Sequence, residues 1–182
     1  MLILADILSS TVLFAVPLLL VALGGMFSER SGIINIALEG IMIVGALLSC
    51  LFLRAMDLSG WGAGHAQLAV LFAILIAAAA GALFSMLLAF ASVHLKANQT
   101  IGGTALNMLA PAFAIVLTWA IQGQGQTTIA IPKWVRITSA LTQDNFFTRF
   151  IFKSLYLTTP LAALLLVSAI VLLYKTKLGL RL

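Results

Sequence analysis

Charge is what this sequence lacks most. Only 8% of its 182 residues are Asp, Glu, Lys or Arg, where a soluble domain carries about 25%. Hydrophobic residues make up 63% of the chain, and its mean hydropathy is +1.18. No compact soluble fold has enough interior to hide that much apolar side chain, so the solvent is lipid. Cysteine is nearly absent too. Cys50 stands alone in an apolar run, which excludes an internal disulfide, and no metal-ligand spacing surrounds it. It reads as a small buried hydrophobe. The ten Lys and Arg residues form no basic stripe. That argues against nucleic acid as a partner and fits anchors for helix ends among lipid headgroups. There is no G-x-x-x-x-G-K-[ST] loop to hold nucleotide phosphates and no G-x-S-x-G nucleophile elbow. The first apolar run also lacks a basic segment before it. Asp6 is the only charge ahead of Glu29, and Met26-Phe27 stand where a cleaved leader would carry small residues, so this run is expected to stay as a helix.

What is present is five long apolar runs, at residues 7–27, 33–53, 68–91, 104–121 and 155–174. About 20 residues at 1.5 Å each cross ~30 Å of hydrocarbon. The expected fold class is therefore all-α, a polytopic transmembrane bundle of about five long helices. Residues 1–182 are expected to form one membrane domain. Pro17 lies in the first run and Pro111 in the fourth; each should kink its helix. The third run repeats small residues every fourth position, at Ala73, Ala77, Gly81, Ser85 and Ala89. Ala77, Gly81, Ser85 and Ala89 are expected to be a helix-packing face along which another backbone approaches. Residues 59–64 read as an interfacial turn with Trp61 as an anchor. Residues 97–104 read as a short polar, glycine-rich link. Residues 122–153 are too polar to span and read as an extracytoplasmic loop lying on the membrane, with Phe146 and Phe147 as anchors. His65 and His94 are lone, so they read as interfacial rather than metal-binding. Five crossings put the termini on opposite sides. Counting Lys and Arg gives five per side. The set made of Arg30, Lys96, Lys175, Lys177 and Arg181 sits in short loops and one tail, where the positive-inside rule has most force. The N-terminus is expected outside and the C-terminus inside.

The polar exception is Ser28-Glu29-Arg30-Ser31-Gly32-Ile33-Ile34-Asn35-Ile36-Ala37-Leu38-Glu39-Gly40. Ionisable groups in a membrane chain mark functional sites by default. Asn35 and Glu39 are four apart, so on a helix they share a face. Gly32 and Gly40 loosen the segment, and a broken or re-entrant helix is expected near residues 24–40. With the preceding Leu23-Gly24-Gly25-Met26-Phe27, this stretch resembles the signature of bacterial ABC importer permeases of the nucleoside and simple-sugar type, broadly related to the ribose-type and branched-chain amino-acid permeases. Leu95-Lys96-Ala97-Asn98-Gln99-Thr100-Ile101-Gly102-Gly103-Thr104-Ala105-Leu106-Asn107 resembles the family's segment after its third long helix. Lys175-Thr176-Lys177-Leu178-Gly179-Leu180-Arg181 resembles the entry to its cytoplasmic coupling segment.

The resemblance implies a permease subunit that does no chemistry itself and binds no cofactor, ATP being used by a separate ABC ATPase subunit. Its other implied partners are a second permease subunit, an extracytoplasmic substrate-binding lipoprotein, a small polar substrate and membrane lipid. It places Asn35 and Glu39 beside the substrate path, with Asn107 as a further polar contribution. Asn98, Gln99 and Thr100 are the corresponding gate or loop candidates, and Lys175, Lys177 and Arg181 an ATPase-proximal tail. Family members continue through a coupling helix and further spans, so the sequence is expected to represent the N-terminal half of a permease. Structural readings stand beside these. Glu39 can pair with Arg30 or another helix, Asn107 can bond between helices, and the residues 98–100 can be a wet link. Three other functions stay open: a permease for branched-chain amino acids or another small solute, an assembly subunit without a pore, and a membrane enzyme, for which no acid/base pair stands out.

Overall fold

The computed structural model describes residues 2–135, 158–177 and 179. Among the described residues, five helices are long and apolar enough to cross a membrane. In chain order the helices are α1 (Leu2–Arg30), α2 (Leu38–Leu58), the short α3 (Trp61–Gly64), α4 (Ala66–Val93), α5 (Gln99–Gln122) and α6 (Thr158–Lys175). A single 3-10 turn spans Lys133–Val135, and there is no strand among the described residues. Two compact units form, one from residues 1–31 with 133–182, the other from residues 32–132.

In the first unit α1 packs on α6. Leu20, Gly24 and Phe27 line one side of a cavity of about 240 Å³, and Leu165, Ala169 and Leu172 the other. The Arg30 guanidinium lies 5.7 Å from the centroid of the Tyr174 ring. The two helices therefore bring their C-terminal ends together. Pro17 cannot donate to the carbonyl of Leu13, four residues back, yet α1 continues through it.

The second unit is a three-helix packet. Gly45 stands against the carbonyl of Ala77, and Gly81 against Ile41, so α2 and α4 are antiparallel. Gly40 meets Asn107, while Gly103 meets Ile36 and Ala37, so α2 and α5 run parallel. Val44, Ala80 and Ala110, one from each helix, meet at the centre, with Ile43, Leu48 and Phe84 around them. Small side chains at these crossings let backbones approach, and in lipid that close packing, not apolar burial, drives association. At the end of α2 the Ser59 and Gly60 N–H groups donate back to Ala55 and Asp57, and Gly60 takes φ +73° to reverse the chain into α3.

Most helix hydroxyls bond to their own helix. Ser49, Ser85 and Ser168 donate to the carbonyl three residues back; Ser92, Thr104, Thr118 and Thr176 donate four back. This satisfies each hydroxyl where no water is available. His65 stacks on Trp61 and His94 on Phe90, both with ring centroids 4.9 Å apart.

Three expectations need correction. Helix α2 starts at Leu38, not at residue 33, so Asn35 lies outside it and shares no helical face with Glu39. The link after α4 is shorter than residues 97–104, because Asn98 caps α5 and the helix begins at Gln99. The small-residue stripe of α4 does not stay on one face. Ala73 and Gly81 are buried and Ala77 and Ser85 half-buried, but Ala89 is exposed. A four-residue step advances 400° on a helix, so the stripe rotates about 40° per step and by Ala89 has turned about 160° from Ala73, while the buried Ala73, Ala80 and Leu88 are spaced seven and eight residues apart, close to two turns each. The stretch 136–157, with Phe146 and Phe147, lies outside the described residues, as does Arg181.

Candidate functional site

The polar stretch folds into a joint of irregular backbone between two spanning helices. At the end of α1 the Ser31 N–H donates to the Phe27 and Ser28 carbonyls, at 3.2 and 3.1 Å, and its hydroxyl to Ser28 at 2.7 Å. Gly32 follows with φ +82°, a conformation an L side chain strains to adopt. Residues 33–35 are neither helix nor strand, and α2 begins at Leu38. The backbone groups freed here need partners at the edge of lipid, and α5 supplies them.

Asn107 is the centre of this bracket. Its Oδ1 accepts the Gly40 N–H at 2.7 Å, and its Nδ2 donates to the Ile36 carbonyl at 2.6 Å. Because one partner is a donor and the other an acceptor, the amide can face only one way. Gly40 is in the first turn of α2, where an N–H has no partner within its own helix, so the bond fills a vacancy that helix geometry creates. One helical start earlier, the Ile34 N–H donates to Gln99 Oε1 at 3.1 Å. Asn35 Oδ1 accepts the Ala37 N–H at 3.1 Å, closing a local turn ahead of α2. Asn98 Oδ1 accepts from Thr100 and Ile101 and so caps α5.

The approach is as close as side chains allow. A Cβ added to Gly40 would stand 3.0 Å from both Asn107 Oδ1 and the Leu106 carbonyl and 3.2 Å from Ala110 Cβ. One added to Gly103 would stand 3.0 Å from Ile36 Cβ. Ala37 and Ala110 are both fully buried at this contact. Pro111 adds a further polar group, since it leaves the Asn107 carbonyl without its usual donor.

The sequence candidates thus divide. Asn107 spends both ends of its amide on backbone, Asn35, Gln99 and Asn98 their amide oxygens, and Thr100 contributes its N–H to the cap. Glu39 is different: it lies exposed in the first turn of α2, where a carboxylate suits the positive end of the helix. Lys175 ends α6 and Lys177 is exposed just beyond it. Gly40 and Gly103 were missed as contact residues; their signal was a glycine on each helix at the point where an amide reaches across.

The family described as "Branched-chain amino acid transport system / permease component" matches residues 7–182. The chain is 39% identical over 180 residues to the "Guanosine ABC transporter permease protein NupQ" of Bacillus subtilis (strain 168), covering 98% of this chain and 55% of that one. It is 36% identical over 176 residues to the "Nucleoside ABC transporter permease protein NupC" of Lactococcus lactis subsp. cremoris (strain MG1363), covering 97% and 54%. The chain spans about half the length of these curated relatives. No solved structure matches it.

Proposed function

This chain belongs to the family of permease components of the branched-chain amino acid transport type, and from that premise we propose that it forms part of the translocation path of an ATP-driven importer for nucleosides. The observation that carries the reading is the match along nearly the whole chain to two relatives named for guanosine and nucleoside transport. The polar joint supports it, because irregular backbone is stable in a membrane only where protein satisfies it, and transporters place such breaks beside their paths. The chain does no chemistry. A separate ABC ATPase hydrolyses ATP, a lipoprotein delivers the solute from outside, and a second permease subunit completes the path. The protein resides in a bacterial cytoplasmic membrane with its N-terminus outside, its C-terminus inside and the Lys175–Lys177 tail nearest the ATPase. Of the path candidates Asn35, Glu39 and Asn107, Glu39 is the one whose side chain is not bonded into the joint.

Uptake of radiolabelled guanosine tests this. Cells without other nucleoside importers are given the chain with its cognate ATPase, lipoprotein and second permease subunit. Uptake is expected to need all components and to be competed by unlabelled nucleosides. Uptake that persists without the chain overturns the reading. Competition by leucine and not by nucleosides moves the substrate to the amino-acid branch of the family. Glu39→Gln is expected to lower uptake while leaving the amount of protein in the membrane unchanged.

A further inference from the structure

At the end of the second unit remote from the joint, two hydrogen-bond donors are closed off from solvent and meet no acceptor among the described residues. They are Arg54 Nη1, near the end of α2, and Gln122 Nε2, at the last residue of α5. Sealing a donor without a partner costs about 1–3 kcal/mol, and more when it is charged. Two at one end of one packet are a standing vacancy for an acceptor. Because α2 and α5 run parallel, their heights compare directly. Arg54 stands fourteen residues above Gly40 and Gln122 fifteen above its bonded partner Asn107. At 1.5 Å per residue the two lie within about 2 Å of the same height.

One turn lower, the same two helices and the chain after α5 border an open cavity of about 300 Å³. Cys50 lines it four residues before Arg54, and Thr118 lines it four residues before Gln122, with Thr127, Leu47 and Ala114 completing much of the wall. The Thr118 hydroxyl already donates to the Ala114 carbonyl at 2.7 Å, so its proton is committed. The volume falls at the small end of ligand sites, and mainly apolar walls with a few polar groups are what such sites present. An apolar slot with two unpartnered donors about one helical turn beyond its lining suits a flat solute long enough to carry an acceptor edge up to them.

We infer that Arg54 and Gln122 read the carbonyl edge of an uncharged heterocyclic solute whose body occupies the cavity between α2 and α5. This rests on the nucleoside reading for the choice of solute, and it adds a site at the opposite end of the packet from the joint.

Cys50 is the only cysteine in the chain, so its modification by N-ethylmaleimide reports on the cavity in the full chain in native membranes. Guanosine is expected to slow labelling. Purine riboside, which lacks the base carbonyl, should need about tenfold more for half-protection, the factor of one hydrogen bond of about 1.4 kcal/mol. Arg54→Met and Gln122→Leu should each raise the half-protecting guanosine concentration about tenfold and leave protection by purine riboside unchanged. Arg54→Lys, which keeps a charged donor, should recover part of the difference. An unliganded labelling rate equal to that of the native chain shows that the groove is intact. Native-like guanosine protection in both variants overturns this assignment and leaves the importer reading standing. Absence of protection in the native chain, while guanosine uptake is normal, also overturns the assignment alone; loss of both overturns the two together.

Discussion

Asn107 satisfies two backbone groups of the joint with one side chain, and no hydrophobic residue can do so. Asn107→Leu strands the Gly40 N–H and the Ile36 carbonyl together. It is expected to destabilise the chain by about 1–3 kcal/mol, read as a lower midpoint of unfolding when sodium dodecyl sulfate is titrated into dodecyl maltoside micelles. A midpoint equal to that of the native chain would show that the bracket carries no net stability. Gly40→Val attacks the same contact through volume, since its Cβ alone reaches 3.0 Å from Asn107 Oδ1 and from backbone. It should cost about 1–3 kcal/mol in the same titration. The sequence made Asn107 conspicuous as an amide in an apolar run, but not its partners. Those partners are 67 and 71 residues away, and neither is polar in its side chain. The four-residue spacing of Asn35 and Glu39 puts them on one face only if both are helical; Asn35 lies before the helix, and its Oδ1 closes the turn that lets the helix start three residues later.

Among the elements, α4 shows how packing selects from a repeat. Gly81 sits against Ile41, while Ala89 faces outward. Gly81→Leu is expected to push α4 off α2 and to reduce the amount of folded protein by size-exclusion chromatography in detergent. Ala89→Leu should behave like the native chain, because its added atoms meet lipid. Equal behaviour of the pair would contradict the packing order of the second unit. The five spans were legible from run length alone, and four of their five expected centres hold to within a residue or two. The ends were less so, for identifiable reasons. Ile33, Ile34, Ile36 and Ala37 are as apolar as the helix that follows, so hydropathy could not see the break between α1 and α2. At α5 the reverse holds: Asn98, Gln99 and Thr100 read as a link by polarity, yet a polar cap and first turn are what a helix start requires.

For the whole molecule, the antiparallel order of α2, α4 and α5 makes a prediction that no single residue makes. The turn at residues 59–65 and the link at residues 94–98 lie at opposite ends of the second unit. In a Cys50→Ser background, a membrane-impermeant maleimide is expected to label Ser59→Cys in intact cells and Ala97→Cys only after the membrane is opened. Labelling of both from one side would break the order of spans. The orientation has a slender basis in the sequence, five bases against five, and this labelling decides it. The stitch between Gly40 and Asn107 also has a consequence for biosynthesis. A ribosome adding about 5–20 residues per second takes roughly 3–13 s to make the 67 residues that separate the two. For most of that interval α2 is already synthesised with its first turn unfastened, and only the emergence of α5 from the insertion machinery can close it. A pause or a stop codon between α4 and α5 would therefore leave a loose early helix pair for quality-control proteases to find.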